Sequence, residues 1–452
     1  MADAISVGLV EDISGQPDQY VNHLAEVNKT NDVVSTDDIY NKHGVLLVRK
    51  GARIGSDMAQ RILQHKLLKP LEEQIQLNRM LNAATLLAAF VKYCESYPDI
   101  QQIHSELDFD KRFKNLVQRI EFADVIAQKL TVLQDRLPQK FENAVLCGWL
   151  ASLIATEMNL TSDLVQAVLL AGLTHDVGLL HIPLEIVNKT GELTVAEWRA
   201  MQSHVVVAQI LLKNTKGLHP RAAVAVIEHH ERCDGSGYPA GKTEEQLDTL
   251  GQIIGMADSV LAIRLYQFSK HGRNFRDTQS YLHMNSATHS TSVYNAMHAL
   301  LVKSKLQPTQ VNTFDTAAAL ITHLSARGNQ LKNVVTLLEE LLDLALLSGA
   351  GVEAKRLYKV TQPVVRMICS SGLLREEILA WLQSLQQQPD ESALSELIES
   401  ELMQNELYWQ IKKVQRMLNE FVEKKLATLK ADDQVRVRRI KVGMDAIFAA
   451  TN

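Results

Sequence analysis

The stretch "HHERCDGSGYP", His229 to Pro239, places two imidazoles side by side and follows them with two glycines around a serine. The segment before it, "HPRAAVAVIEHH", reads as a helix with Pro220 at its first position, where a missing N–H costs nothing. Ala223, Val226 and Ile227 form its buried stripe. His230 continues that stripe, and His229 lies about 100° around the helix from it. Adjacent imidazoles reach one ion most easily where a helix stops. Gly235 and Gly237 read as that stop, because glycine adopts φ > 0 without strain. Chance histidines on a surface loop are the plainer alternative.

Working outward, "SDLVQAVLLAGLTHDVG" carries a second imidazole–carboxylate couple, His175-Asp176. Apolar Leu164, Val165, Val168 and Leu169 predict a buried helix, with Ser162 as its cap and Gly178 as its end. A carboxylate buried beside an imidazole needs a partner. That partner is either a divalent metal or the imidazole itself. "ELTVAEWRAMQSH" contains the capping box Thr194/Glu197, with Leu193 and Trp198 placed as a hydrophobic staple. His204, three residues past Met201, shares that helix's apolar flank; alone it reads as a core histidine. "GQIIGMADSVLAIR" is an apolar helix bearing one acid, Asp258, which reads alone as either surface or partnered.

Taken together, His175, Asp176, His204, His229, His230 and Asp258 supply four imidazoles and two carboxylates on helices or helix ends. Mixed nitrogen and oxygen ligation suits two first-row metals such as Fe or Mn, and Zn less well. Two metals about 3.5–4 Å apart lower the pKa of a shared water and clamp a phosphoryl group. Phosphoester hydrolysis is the chemistry so implied.

The sequence resembles the HD-GYP phosphodiesterases, a branch of the HD phosphohydrolases that cleaves cyclic di-GMP. The matching residues are His175-Asp176, Ile182-Pro183, Lys189 to His204, His229 to Gly241 and Ala257-Asp258. The resemblance covers about Phe141 to Arg264. It implies an all-helical, metal-binding HD-type bundle, two Fe or Mn ions, and pGpG or GMP as product. It makes Asp176 and His204 the candidate catalytic residues, with Asp176 bridging the metals. It also assigns the Asp234, Gly235, Gly237, Tyr238, Pro239 loop to cover the site and to offer a surface to a signalling protein. Four positions depart from the family pattern. Asn143 stands where a histidine or acid is usual, and Gln139 where some members have an acid one turn earlier. Leu179 replaces a phosphate-binding lysine, and Leu261 a second acid. Glu142 is a substitute ligand on this reading, and Lys189 and Arg232 are substitute phosphate contacts. His181 reads as packed or exposed, with a donor role near the phosphate as the sharper alternative.

The rest of the chain frames this centre. Its 452 residues suit about three domains. Scarce Gly (21) and Pro (10) favour helices. A formal charge of −5 makes no case for nucleic acid. The widely spaced Cys94, Cys147, Cys233 and Cys369 suit a reducing cytosol. No leader is visible, and the longest apolar run, "AVLCGWLASLIA" (144–155), falls short of the ~20 residues that span a bilayer, so a cytoplasmic location is expected. The predicted class is mainly α. A small α+β module (1–75) would hold a strand, turn and strand in "GVLLVRKGARI" and a helix capped by Ser56. A helical linker (76–108), the HD-GYP-like domain (109–270), a connecting segment (271–308) and a helical C-terminal domain (309–452) would follow. Leu407, Ile411, Val414, Leu418 and Phe421 form a stripe of about two heptads. A packed helix face accounts for so short a stripe better than a coiled-coil homodimer does. Two functions remain open: hydrolysis of cyclic di-GMP, and a degenerate domain acting as a non-catalytic nucleotide receptor or adaptor.

Overall fold

A computed structural model describes residues 19–191, 193–309, 316–347, 351–387, 390 and 393–449. The first 18 residues of the expected N-terminal module lie outside the described residues. The chain is mainly helical and divides into two compact units. The first comprises Met1–Arg232, Gly237–Ala262 and Thr291–Leu306; the second comprises Cys233–Ser236, Ile263–Ser290 and Gln307–Asn452.

The first unit opens with the helix Tyr20–Val27 and two small antiparallel ladders. Val33–Ser35 pairs with Ile75–Leu77, in the register Val33↔Leu77, and Ile39–Tyr40 pairs with Leu46–Val48. The second strand expected in "GVLLVRKGARI" is reduced to one isolated bridge, Val34↔Arg53. A hydrogen bond from the Gly51 N–H to the Ser35 carbonyl and another from the Ile54 N–H to the Val33 carbonyl hold that stretch beside Val33–Ser35. The helix Ser56–Leu63 has Gly55, not Ser56, at its cap position, and no side chain caps it. This small layer sits on the helix Asp124–Arg136. Buried Tyr20 donates its hydroxyl to Gln128 at 2.9 Å, and the Lys129 ammonium lies 3.1 Å from the Tyr20 ring centroid.

The centre of the unit is the helix Pro138–Glu157. Every residue from Asn143 to Ala155 is buried, because the run is apolar on all faces and helices surround it. The helix Ser162–Thr174 packs along it, and Thr249–Ala262 packs on both. Thr161, not Ser162, occupies the cap position of Ser162–Thr174, without a side-chain bond. That helix does not end at Gly178 as expected. It stops at Thr174, and Gly178 lies within the 3₁₀ turn Val177–His181. Among the described residues, Ser162–His181 is long and apolar enough to cross a membrane by composition alone, but 83% of its apolar window is buried inside this bundle.

The second unit is helical: Thr278–Met284, Ala317–Leu347, Gly351–Ser370, Glu376–Gln387, Leu394–Lys425 and Ala431–Ala449. The Leu407/Ile411/Val414/Leu418/Phe421 stripe is buried within the unit against Leu331, Leu338, Leu357 and Ile440. A packed helix face is therefore what the short stripe encodes.

Candidate metal centre

The centre is assembled where helices of the first unit begin or end. His175 follows directly on Ser162–Thr174, and Asp176 precedes the 3₁₀ turn. His204 opens the helix His204–Asn214 after a break at Ser203, so it does not continue the capping-box helix Val195–Gln202. His229 ends Pro220–Glu228, whose first residue is Pro220 as expected. The helix thus stops before the glycines, which shape the loop that follows. Gly235 has φ 76°, and a Cβ on Gly237 would lie 2.4 Å from the Arg232 nitrogen. Asp258 projects from the third turn of Thr249–Ala262.

Three imidazoles share one arrangement. The Nδ1 atoms of His175, His204 and His229 lie 2.8, 2.6 and 2.6 Å from the carbonyls of Gly172, Met201 and Val226, each three residues back. A carbonyl only accepts, so Nδ1 carries the proton and donates. Each Nε2 then faces inward, buried and without a hydrogen-bond partner. Such orphaned nitrogens are costly unless a ligand meets them. Metal-binding histidines are oriented in this way, with the remote nitrogen tied to a carbonyl.

The inward-facing atoms converge. Ligand atoms of Asp176, His204, His229 and His230 lie within 4.8 Å of one another, and so do those of His175, His229 and Asp258. His229 belongs to both groups. The two oxygens of Asp176 face different partners: Oδ1 is 3.5 Å from His204 Nε2 and Oδ2 is 3.6 Å from His175 Nε2. Asp258 Oδ1 is 3.6 Å from His175 Nε2. These separations exceed hydrogen-bond length and leave room for ions between the groups. The donor set therefore fits divalent metal.

Electrostatics agree with the geometry. Burial, then the neighbouring His175 and His204, pushes the His229 imidazole down to about 3. Burial also drives His230 well below the usual range, with His229 adding to it. Neutral imidazole is the ligand form. His175 goes the other way: against burial, Asp176, Cys147 and Asp258 hold its pKa well above normal. Proton and metal compete for that Nε2. Against burial, Lys140, His175 and His204 hold Asp176 below its ordinary value. Against burial, His175 and the His229-His230 pair hold Asp258 well below its own.

The departures from the family pattern have definite places. Asn143 is buried and donates from Nδ2 to Asp258 Oδ1 at 2.9 Å; its own oxygen is buried without a hydrogen-bond partner. Glu142 belongs to neither ligand cluster, and its charge instead adds to burial in raising the Tyr93 phenol. Leu179 and Leu261 are core residues. The two substitute phosphate contacts are engaged elsewhere. Lys189 holds the Glu197 carboxylate at 2.6 and 2.9 Å. Arg232 binds the carbonyls of His229 and Glu231 and the Ser259 hydroxyl. His181 packs on Tyr20 and lies 2.9 Å from Lys129 Nζ. Trp198, 44% exposed, sets its ring edge-on to Tyr238 at 5.8 Å.

Three residues that were not among the expected site residues flank the site. Lys140 brings its ammonium within 3.6 Å of Asp176 Oδ2. Glu231 accepts from the Ala240 and Lys242 N–H groups at 2.6 and 3.0 Å, and Glu228 accepts from the Asp248 N–H at 2.7 Å and from Lys242 Nζ at 2.5 Å. These two carboxylates pin the loop after the twin histidines. The Tyr238–Pro239 peptide is cis, and Tyr238 stacks on His230 at 4.7 Å. Within the second unit, the Cys233 N–H donates to the Thr288 carbonyl, and Asp234 accepts from the Ser236 N–H. For Glu228 and Glu231, acids flanking histidines at a buried helix end are the feature from which their role can be read.

Residues 128–290 match the HD domain family. A cyclic di-GMP phosphodiesterase of Thermotoga maritima is 37% identical over 113 residues, 25% of this chain and 31% of that protein. A 3'3'-cGAMP-specific phosphodiesterase 1 of Vibrio cholerae is 28% identical over 191 residues, 42% and 43% of the two chains. A cyclic di-GMP phosphodiesterase of Pseudomonas aeruginosa, PA4108, is 32% identical over 117 residues, 25% and 28%. The chain spans less than half the length of each of these relatives. Fold, site and sequence together give residues 128–290 the character of an HD domain. Its His229–Pro239 string is similar to that of the HD-GYP phosphodiesterases, and it departs from their pattern at Asn143, Leu179 and Leu261.

Proposed function

We propose that this chain is a metal-dependent phosphodiesterase that hydrolyses cyclic di-GMP to pGpG or GMP in bacterial second-messenger signalling. The observation that carries the reading is the set of three buried imidazoles, each fixed at Nδ1 by a carbonyl and each turning an unpartnered Nε2 toward the Asp176 carboxylate or its neighbours. The relatives named for cyclic dinucleotide hydrolysis support the substrate class.

His175, Asp176, His204, His229, His230 and Asp258 would hold two divalent ions, Fe or Mn favoured. When bound, such a pair supplies an activated water and a Lewis-acid clamp on phosphate. The chain's own residues do the rest. Asp176 stands between the two ligand groups, and Asn143 holds the Asp258 carboxylate by a hydrogen bond. Tyr238 stacks on His230 and so flanks the site on that side. A cytoplasmic location and a signalling partner at the Tyr238–Pro239 loop belong to the same reading; the stripe that offered a homodimer is buried within its own unit.

The test is direct. Protein purified without chelator is expected to carry about two Fe or Mn per chain and to linearise cyclic di-GMP. Chelation should abolish turnover, and added Mn or Fe should restore it. Tight nucleotide binding with metal present but no turnover would make the domain a receptor. A metal-free protein that ignores cyclic dinucleotides would end both readings.

Asn143 gives a second test. An amide oxygen is a weak neutral donor beside imidazole, and changes around a metal typically move affinity about 10–100-fold. Asn143→His is therefore expected to tighten metal binding at the His175/Asp258 side at least about tenfold. Competitive metal titration against a fluorescent chelator reads this, and an unchanged affinity would show that a side chain at position 143 does not reach the ion beside Asp258.

A further inference from the structure

We infer that Lys129 is a positioning residue that ties the N-terminal module to the metal centre, through His181 and the turn that begins beside Asp176; the inference rests on the metal-dependent reading above. Lys129 lies on the helix Asp124–Arg136, and its side chain is 0% exposed. A buried ammonium is costly unless partners surround it. Groups from three other elements face this one. His181 Nε2 lies 2.9 Å from its Nζ, the Tyr20 ring centroid 3.1 Å, and a Glu72 carboxylate oxygen 3.8 Å. An ammonium only donates, so His181 Nε2 accepts. The His181 ring also stacks on Tyr20, with centroids 5.4 Å apart and planes at 20°. Beside Lys129, Gln128 accepts from the Tyr20 hydroxyl and donates to the Glu72 and Ile75 carbonyls. One buried cation thus gathers two pieces of the N-terminal module and the far end of the turn Val177–His181.

That turn leads straight to the metal centre. Asp176 precedes it, and the Asp176 carbonyl accepts from the Leu179 N–H at 3.0 Å. Val177, Gly178, Leu179 and Leu180 are all buried. Gly178 is pressed so closely on the His204 carbonyl that a Cβ would fall 2.0 Å from its oxygen. A segment packed this tightly shifts as one piece. Its near end carries the carboxylate that faces His204 and His175, and its far end carries His181. Holding His181 therefore holds Asp176. Coupling of this kind is reciprocal, so an ion that fixes Asp176 must also tighten the module.

The alternative is that Lys129 only stabilises the fold. Hydrogen exchange of the full-length chain with and without Mn separates the two, with Mn affinity measured in parallel. In the wild type, saturating Mn is expected to slow exchange about tenfold in Tyr20–Val27 and the Val33–Ser35/Ile75–Leu77 ladder, as well as in His204–Asn214. Lys129→Met keeps the stem and removes the charge. His181→Phe keeps a ring against Tyr20 and removes the acceptor. In either variant His204–Asn214 should still respond to Mn, the module should not, and Mn affinity should fall about tenfold. The double variant should lose no more than one single variant does, because both break one link. Mn-linked protection of the module that survives in both variants would overturn the inference, as would a wild-type module that ignores bound Mn. Losses of Mn affinity that multiply in the double variant would overturn it too, since the two side chains would then act separately. A wild-type chain that binds no Mn would instead bring down the metal-dependent reading, and this inference with it.

Discussion

Replacing His229 by alanine is expected to empty both halves of the metal centre at once. His229 is the residue shared by the Asp176/His204/His230 group and the His175/Asp258 group. Removing it deprives each group of a nitrogen, and the loss of a direct ligand should exceed the ~10–100-fold that outer changes cost. Metal content should fall to well below one ion per chain, and turnover of cyclic di-GMP more than about a hundredfold. His230→Ala and Asp258→Asn each touch one group, so each should leave one ion better held than the other. Stability supplies an independent reading. Metal at about a hundred times its dissociation constant stabilises the native state by about 2.7 kcal/mol, and His229→Ala forfeits that. With chelator present the two proteins should melt closer together. The variant loses a packed ring, but it also loses a buried nitrogen with no hydrogen-bond partner, and the two effects oppose. Wild-type metal content in His229→Ala, measured by elemental analysis, would show that the convergence of these imidazoles has another purpose.

What made this centre legible was a local conflict with burial. Imidazoles and acids appear on stripes otherwise filled by Ala, Val, Ile and Leu, and an apolar core has no use for them unless they meet. The helices leading to His175, His229 and Asp258 were readable from their apolar period; the Thr194/Glu197 box forms as expected, but His204 opens the next helix rather than continuing that one. The helix ends were less legible, for a physical reason. Ser56, Ser162 and Gly178 each carry the residue type of a boundary, yet Gly55 and Thr161 take the cap positions and Gly178 continues into a 3₁₀ turn. Caps contribute about 1 kcal/mol, which packing of a long buried helix overrides. Lys140 was illegible because a lysine two residues after Pro138 reads as solvated. Its reach to Asp176 depends on how Pro138–Glu157 lies against Ser162–Thr174, a tertiary quantity that no period encodes. Likewise, nothing in their residue types shows that Lys189 and Arg232 are tied to Glu197 and to backbone carbonyls.

Gly178→Ala is expected to damage the fold and the centre together, through backbone rather than ligands. Gly178 lies two residues beyond Asp176, in the 3₁₀ turn pressed against the start of His204–Asn214. A Cβ there would fall 2.0 Å from the His204 carbonyl oxygen and 2.8 Å from its Cα. No side chain can rotate away, since every contacting atom is main chain. Either the turn or the helix start must move, and Asp176 rides on the one and His204 on the other. Overpacking of this kind costs about 1–3 kcal/mol, occasionally more; with backbone on both sides the upper end applies. A loss of about 3 kcal/mol lowers the melting temperature of a unit this size by roughly 6–12 °C. Widening the 3.5 Å Asp176–His204 approach should also weaken metal binding at least about tenfold. Gly191→Ala is the control: nothing lies within 4 Å of its added methyl and its φ is not in the left-handed region, so melting and metal binding should match wild type. If Gly178→Ala melts and binds metal as the control does, the turn and the His204 helix do not press together as described, and Asp176 and His204 are not held by that contact.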